Sequence, residues 1–333
     1  MVQDRFDKTP SPEQPDRNST SETPPRSKSR IVVIGGINMD LVVRAQTMPL
    51  PGQTVKGHSF ATFPGGKGAN QAVAALRAGA EVNLIARTGN DDLGQRLVLG
   101  LKTYGVNTTP IMITEAVPTG IAMIIVDDNG ENSICAAGGA NLHLRPEDMD
   151  ENLHWIQQAD AVIMQMEIPL ETVIYALQTA KHHGVQVILN PAPIPEKINP
   201  STYEADILIC NQMELSALSQ EPVTDIHSAK LAASSLVAKG TAIVVVTMGR
   251  RGAIALHKEE FLHIPAFNTS LIDTTGAGDA FCGAFATAWS QTKEIHHSLR
   301  FATAAASLAC SRFGAQPSMP HRDAIETLLK RSC

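Results

Sequence analysis

The stretch Ile31-Val32-Val33-Ile34-Gly35-Gly36 sets the fold: four β-branched residues run straight into a glycine pair. That is the pattern of a buried strand feeding a tight turn. Downstream the chain alternates. Residues 67–78 are Ala-rich and predict a helix, 82–87 a strand, and 92–104 a helix. Strands follow at 160–165, 185–189, 206–210 and 242–247, with helices at 169–183 (Pro169 in its first turn) and 228–239. Helices at 277–289, 295–312 and 322–329 close the chain. Apolar strands alternating with helices imply an α/β fold whose mostly parallel sheet is covered on both faces.

Two stretches break the rhythm. Residues 41–63 and 119–135 read as strands joined by turns, at Pro49-Leu50-Pro51-Gly52 and Asp127-Asp128-Asn129-Gly130. They predict a small β appendage outside the main sheet. Residues 1–30, with five Pro and five Ser and few apolar anchors, predict a disordered tail, and 31–330 a single domain. The tail lacks the apolar core of a secretory signal and carries too many acids for a transit peptide.

Composition narrows the function. With 43% apolar residues among 333 the chain can bury a substantial core, and a net charge of -6 argues against nucleic acid as a partner. The apolar runs are strand-sized, too short to cross a membrane. Five widely spaced cysteines include no Cys-x-x-Cys pair, and no His-Glu-x-x-His occurs. This removes most support for a zinc site or a disulfide framework and predicts reduced, mostly buried thiols in a cytoplasmic protein. The paired histidines at 182–183 and 296–297 read as surface residues, and Trp155 and Trp289 as packing residues.

Three segments could carry chemistry. Asp273-Thr274-Thr275-Gly276-Ala277-Gly278-Asp279 opens a helix with small residues, which exposes N–H groups and a partial positive charge to an anion. Asp279, in the first turn, is placed to take a proton from a hydroxyl that attacks phosphorus. The same pattern also fits Asp273 as a plain N-cap and Asp279 as an acid serving the helix dipole. Pro64-Gly65-Gly66-Lys67-Gly68-Ala69-Asn70-Gln71 is neither a Walker A loop nor a dinucleotide fingerprint. Its glycines let the backbone approach a ligand, or simply make a tight turn. Gly35-Gly36-Ile37-Asn38-Met39-Asp40 follows the first strand, with Asn38 and Asp40 spaced to share one side of an extended segment. Glu167, Asn211 with Glu214, and the run Thr247-Met248-Gly249-Arg250-Arg251-Gly252 also follow predicted strands. Each fits an ordinary cap or turn, but together they describe one polar rim at the strand ends.

In this order these motifs resemble the ribokinase-like carbohydrate kinase family, from about Ile31 to Leu329. Asn190-Pro191-Ala192-Pro193 and Gly314-Ala315-Gln316-Pro317-Ser318 add to the likeness. The resemblance implies a three-layer α/β/α domain with a β-sheet lid that also forms a homodimer interface. It implies ATP-dependent phosphorylation of ribose at the 5-hydroxyl. Asp279 matches the family's base, and Gly276, Ala277 and Gly278 its anion hole. Asn38, Asp40, Gly66, Lys67, Asn70 and Glu167 match sugar positions. Asn211, the 247–252 run and Thr303 match the nucleotide site, and Asn211 with Glu214 a segment linked to Mg2+. A K+ site is implied at Asp273, Thr275, Ala309, Arg312, Gly314 and Ser318. Rival readings are a kinase of the same fold for deoxyribose or fructose, a nucleoside or sugar-phosphate kinase, and a non-catalytic ribose sensor.

Overall fold

The computed structural model describes residues 28–332, so most of the predicted tail lies outside the described residues. Among the described residues thirteen strands run in chain order: β1 (Arg30–Ile34), β2 (Asn38–Ala45), β3 (Gly57–Gly65), β4 (Glu81–Gly89), β5 (Ile111–Thr114), β6 (Gly120–Val126), β7 (Asn132–Ala137), β8 (Ala161–Met164), β9 (Gln186–Leu189), β10 (Ile207–Asn211), β11 (Ile243–Thr247), β12 (Ala253–His257) and β13 (Glu260–Ile264). Nine form the main sheet in the order β13-β12-β11-β10-β9-β8-β1-β4-β5. It is parallel from β11 to β5 and antiparallel only at the β12 and β13 edge.

The period of two along each strand divides the core into two layers. Ile31 and Val33 of β1, with Ile163, Ile209 and Val245, face the helices Lys67–Arg77, Ala277–Thr292 and Ile295–Ala309. Val32 and Ile34, with Val162, Met164, Leu208 and Val246, face the helices Leu170–His182 and Ile226–Ala238. All four apolar residues of β1 are fully buried, each worth roughly 1.5–3 kcal/mol of transfer free energy. The Lys67–Arg77 and Ala277–Thr292 helices touch closely at Gly283, where an added Cβ would lie 2.6 Å from Ala74.

The β appendage is a four-stranded sheet, β3-β2-β6-β7. Its two hairpins, β2/β3 and β6/β7, are joined by parallel pairing of β2 with β6. β2 follows β1 after only three residues, so Asn38 and Asp40 belong to the second sheet from its first residue onward.

Three expectations change. The helix expected over 295–312 stops at Ala309, and its freed Cys310 carbonyl accepts N–H groups of Ile272 and Asp273. Pro169 stands at the cap, just outside the helix that begins at Leu170. The β12/β13 hairpin is absent from the sequence reading because its turn is Lys258-Glu259, with Lys258 at φ 57° and none of the usual turn residues. The four described cysteines are all free: Cys210 and Cys282 are buried, Cys310 half-buried and Cys135 exposed. Both histidine pairs are exposed. No helix among the described residues is long and apolar enough to cross a membrane.

Candidate active site

The C-terminal ends of the parallel strands converge on one cleft, where open α/β sheets bind ligands. Asn190 follows β9, Asn211 ends β10 and Thr247 ends β11. A volume of about 400 Å3 is lined by these three with Lys67, Glu214, Gly249, Gly276, Gly278 and Asp279, among others.

The Ala277–Thr292 helix enters this cleft with Gly276 as its N-cap, at φ 74°, and no side chain caps it. Asp273 is therefore not the cap. Its Oδ1 accepts from the Thr275 amide (2.9 Å) and hydroxyl (2.7 Å), and its Oδ2 from the Gly314 amide (2.8 Å). A Cβ on Gly278 would meet nothing within 4 Å, so the first turn is open to a ligand. The uncapped N–H groups and the helix dipole make this an anion site.

Asp279 lies just inside that turn and is 6% exposed. Its Oδ2 accepts from Asn70 Nδ2 at 2.9 Å and its Oδ1 from Gln71 Nε2 at 3.0 Å. Asn70 Oδ1 is buried without a partner, an acceptor aimed at nothing in the protein.

The glycine turns lock together. A Cβ on Gly66 (φ 88°) would stand 2.6 Å from the Asn38 amide nitrogen, and one on Gly68 2.6 Å from the Gly35 carbonyl carbon. Backbone against backbone, the two turns bring Asn38, Asp40, Lys67 and Asn70 together. The Lys67 amide donates to Glu167 Oε2 at 2.7 Å. Asn38 Oδ1 accepts from Asn141 Nδ2 at 2.8 Å, and Asn141 also bonds both backbone groups of Ile37.

Four carboxylates share this space with one lysine. Burial, reinforced by Asp279, pushes the Asp40 carboxyl up to about 6. Burial pushes Glu167 up to about 7, against the opposing pull of Lys67. Glu214 is raised by burial as well. Lys67 is raised, chiefly by Asp279, so its ammonium is held against the cost of burial.

Other expected positions divide. Asn211 and Glu214 make a capping box, amide to side chain both ways, at 2.9 and 2.8 Å. The cap reading is thus correct, and both residues still face the cleft. Of the 247–252 run, Thr247 and Gly249 line it. Met248 is buried, Arg250 is exposed, and Arg251 donates to the Thr224 carbonyl at 2.7 Å. Gly252 is required by the hairpin, since a Cβ there would sit 2.0 Å from the Ile264 carbonyl. Thr303 does not line the cleft; it is buried in its helix and donates to the Leu299 carbonyl at 2.7 Å. The 309–318 segment packs against the anion-site loop, with Ala315 2.9 Å from a Cβ built on Gly276. Arg77 anchors this segment through the Gln316 and Met319 carbonyls at 2.9 and 2.6 Å.

The sequence reading missed Asn141, Gln165, and the site role of Gln71 and Asn190. The available signal was polar side chains inside otherwise apolar patterns: Gln71 within an Ala-rich helix and Gln165 beside a buried strand.

Residues 28–322 match the model of the pfkB family carbohydrate kinases. The chain belongs to the pfkB family. Ribokinase of Bacillus subtilis is 40% identical over 302 residues, covering 90% of this chain and 99% of that protein. Deoxyribokinase of Salmonella typhimurium is 36% identical over 291 residues, covering 87% and 95%. Among solved structures, Arabidopsis thaliana ribokinase complexed with ribose and ATP superposes with a TM-score of 0.86 at 32% identity, covering 91% of this chain and 99% of that one. This pfkB family member is accordingly an ATP-dependent sugar kinase, and its two-sheet architecture is that of its ribokinase neighbours.

Proposed function

We propose that this kinase transfers the γ-phosphoryl group of ATP to the 5-hydroxyl of ribose. One observation carries the reading: Asp279 stands at an uncapped helix N-terminus, held by an asparagine whose own acceptor is buried and unpartnered. The Asp279 carboxylate accepts the hydroxyl proton as that oxygen attacks phosphorus. The N–H groups of Gly276, Ala277 and Gly278 take up charge on the transferring oxygens, Ala277 giving up the long 3.2 Å bond it makes to the Thr274 carbonyl. Asn38, Asp40, Gly66, Lys67, Asn70 and Glu167 hold the sugar, and Asn211, Thr247 and Gly249 form the nucleotide wall. Glu214 and Asn211 on the cleft wall would hold Mg2+ arriving with ATP, and the ion would neutralise phosphate charge.

A K+ ion suits the neighbouring loops, because their donors are all oxygens: the side chains of Asp273 and Ser318, and carbonyls of Thr275, Ala309, Arg312 and Gly314. It would supply fixed positive charge that orders the loop ending in Gly276. The β3-β2-β6-β7 sheet acts as a lid over the sugar and excludes water. It leaves Phe60 and Met123 well exposed on one face, which fits a homodimer through this sheet. Sedimentation equilibrium should give a dimer that Met123→Lys weakens sharply; an unaltered dimer would place the interface elsewhere.

The deciding assay is a sugar panel. ADP release is followed with ATP, Mg2+ and K+ on ribose, deoxyribose, fructose and adenosine. Ribose should dominate, and its rate should fall when a large organic cation replaces K+. A faster rate on another sugar moves the substrate, and silence on all of them supports the sensor reading. The deoxyribokinase relative belongs to the same family and does not favour deoxyribose over ribose.

The raised carboxyls give a pH signature. Sugar hydroxyls donate to ionised carboxylates, so ribose affinity should be fullest above pH 7. It should weaken as pH drops through the values of Glu167, about 7, and Asp40, about 6. In the ligand-free protein the sign is opposite. Both folded values exceed the ordinary carboxyl values of 4.5 and 3.8, so the unfolded chain ionises first as pH rises. The stability these groups contribute is full in acid and is lost between about pH 4 and 7. Calorimetry near pH 6.5 in two buffers should register proton release on ribose binding. Proton uptake would remove these carboxylates from the sugar site.

A further inference from the structure

Behind Asp279 lies a chain of side-chain amides that the proposed chemistry does not use. Gln71 and Gln165 are fully buried and Asn190 is 7% exposed. Asn190 Nδ2 donates to the Ile209 carbonyl at 2.8 Å. Its Oδ1 accepts from Gln71 Nε2 at 3.1 Å, and the same Nε2 donates to Asp279 Oδ1 at 3.0 Å. Gln71 Oε1 in turn accepts from Gln165 Nε2 at 2.6 Å.

The polarity of this chain has a fixed origin. A backbone carbonyl only accepts, so Asn190 must turn its NH2 to Ile209 and its oxygen to Gln71. Gln71 must then present its NH2 there, and both hydrogens are used, one on Asn190 and one on Asp279. The Gln165 NH2 holds the remaining Gln71 oxygen from the far side. Turning Gln71 over would set oxygen against oxygen at both Asn190 and Asp279. Gln165 keeps this arrangement although its own Oε1 is buried without a partner. A core needing only to fill space would place apolar groups here.

We propose that Gln71 is a positioning residue for the Asp279 carboxylate, oriented by Gln165 and Asn190. Gln71 fixes Oδ1, which leaves Oδ2, held on one side by Asn70 Nδ2, to accept from the sugar hydroxyl. This rests on the reading of Asp279 as the base. Gln71 is sealed from sugar and nucleotide alike, so its removal acts on turnover and not on binding.

The test compares kcat with KM, using the sugar of the panel with the highest rate. Gln71→Met should lower kcat by roughly 10–100-fold, with both KM values within about twofold. Gln165→Met should lower kcat by roughly 3–10-fold, and adding it to Gln71→Met should cost nothing more, because it acts only through Gln71. Gln165→Glu should regain turnover relative to the unaltered protein as pH is lowered, since a protonated carboxyl again donates to Gln71. If Gln71→Met does not fold, the two Gln165 variants decide alone.

An unchanged kcat, a loss confined to KM, or losses that multiply in the double variant would overturn the proposal. Asp279→Asn separates the two readings. If it retains turnover, the base assignment falls and takes the positioning role with it. If it abolishes turnover while the Gln71 and Gln165 variants run normally, the positioning role alone falls.

Discussion

Asp279→Asn should lower phosphoryl transfer by roughly 10²–10⁴-fold, the usual share of a general base, while ribose binding should persist. The substitution is unusually clean here. Asp279 accepts from two amide NH2 groups, and an asparagine offers only one oxygen. The displaced donor has an alternative: Asn70 can turn over and present the oxygen that now lacks a partner. The fold therefore persists, and what disappears is a carboxylate able to hold a proton. ADP release and a calorimetric ribose titration on one preparation give both halves of the result. Full turnover in the variant would remove Asp279 from the chemistry. Lost binding would make it chiefly a sugar ligand.

Gly66→Ala should be among the more damaging single methyls the described residues could receive. At φ 88° the backbone disfavours any Cβ, by roughly 1–2 kcal/mol. The added carbon also meets the Asn38 nitrogen and the Gly36 oxygen at 2.6 Å, and neither can rotate away. Overpacking of this kind adds about 1–3 kcal/mol. The sum, roughly 2–5 kcal/mol, is a large part of an ordinary domain's stability. A chemical denaturation curve measures it. Ribose affinity should fall as well, because the turns carrying Asn38 and Lys67 are pushed apart. Gly130→Ala is a matched control, with a similar φ of 83° and nothing within 4 Å of its Cβ; it should cost only the backbone part. Equal losses at the two positions would show that close approach contributes nothing.

Much of this was legible from the strands. The apolar runs around Val32, Val162, Leu208 and Val244 are buried on both faces, so they announce a parallel sheet without ambiguity. The rim was legible because polar residues follow those runs at once. Asn211 and Glu214 show the limit of that reading: they form an ordinary capping box and line the cleft together. The Ala253–Ile264 hairpin lacked turn chemistry, and Thr303 matched a motif position while its hydroxyl is spent inside its own helix. Asn141 was invisible for another reason. It acts on Asn38 across 103 residues, and nothing local marks such a partner.

That long reach bears on how the chain comes off the ribosome. β1 is the first strand of the described residues, yet it lies inside the sheet between β4 and β8. The Lys67–Arg77 helix, which also packs on β1 and β4, is fully covered only when the Ala277–Thr292 helix arrives, and Asn70 and Gln71 meet Asp279 across 209 and 208 residues. Through most of synthesis the amino-terminal half therefore carries a half-covered apolar helix, and Asn70 and Gln71 lack the Asp279 acceptor. Folding cannot settle domain-half by domain-half; it waits for the last third of the chain. Premature termination before residue 277 should thus yield insoluble material rather than a weakened enzyme.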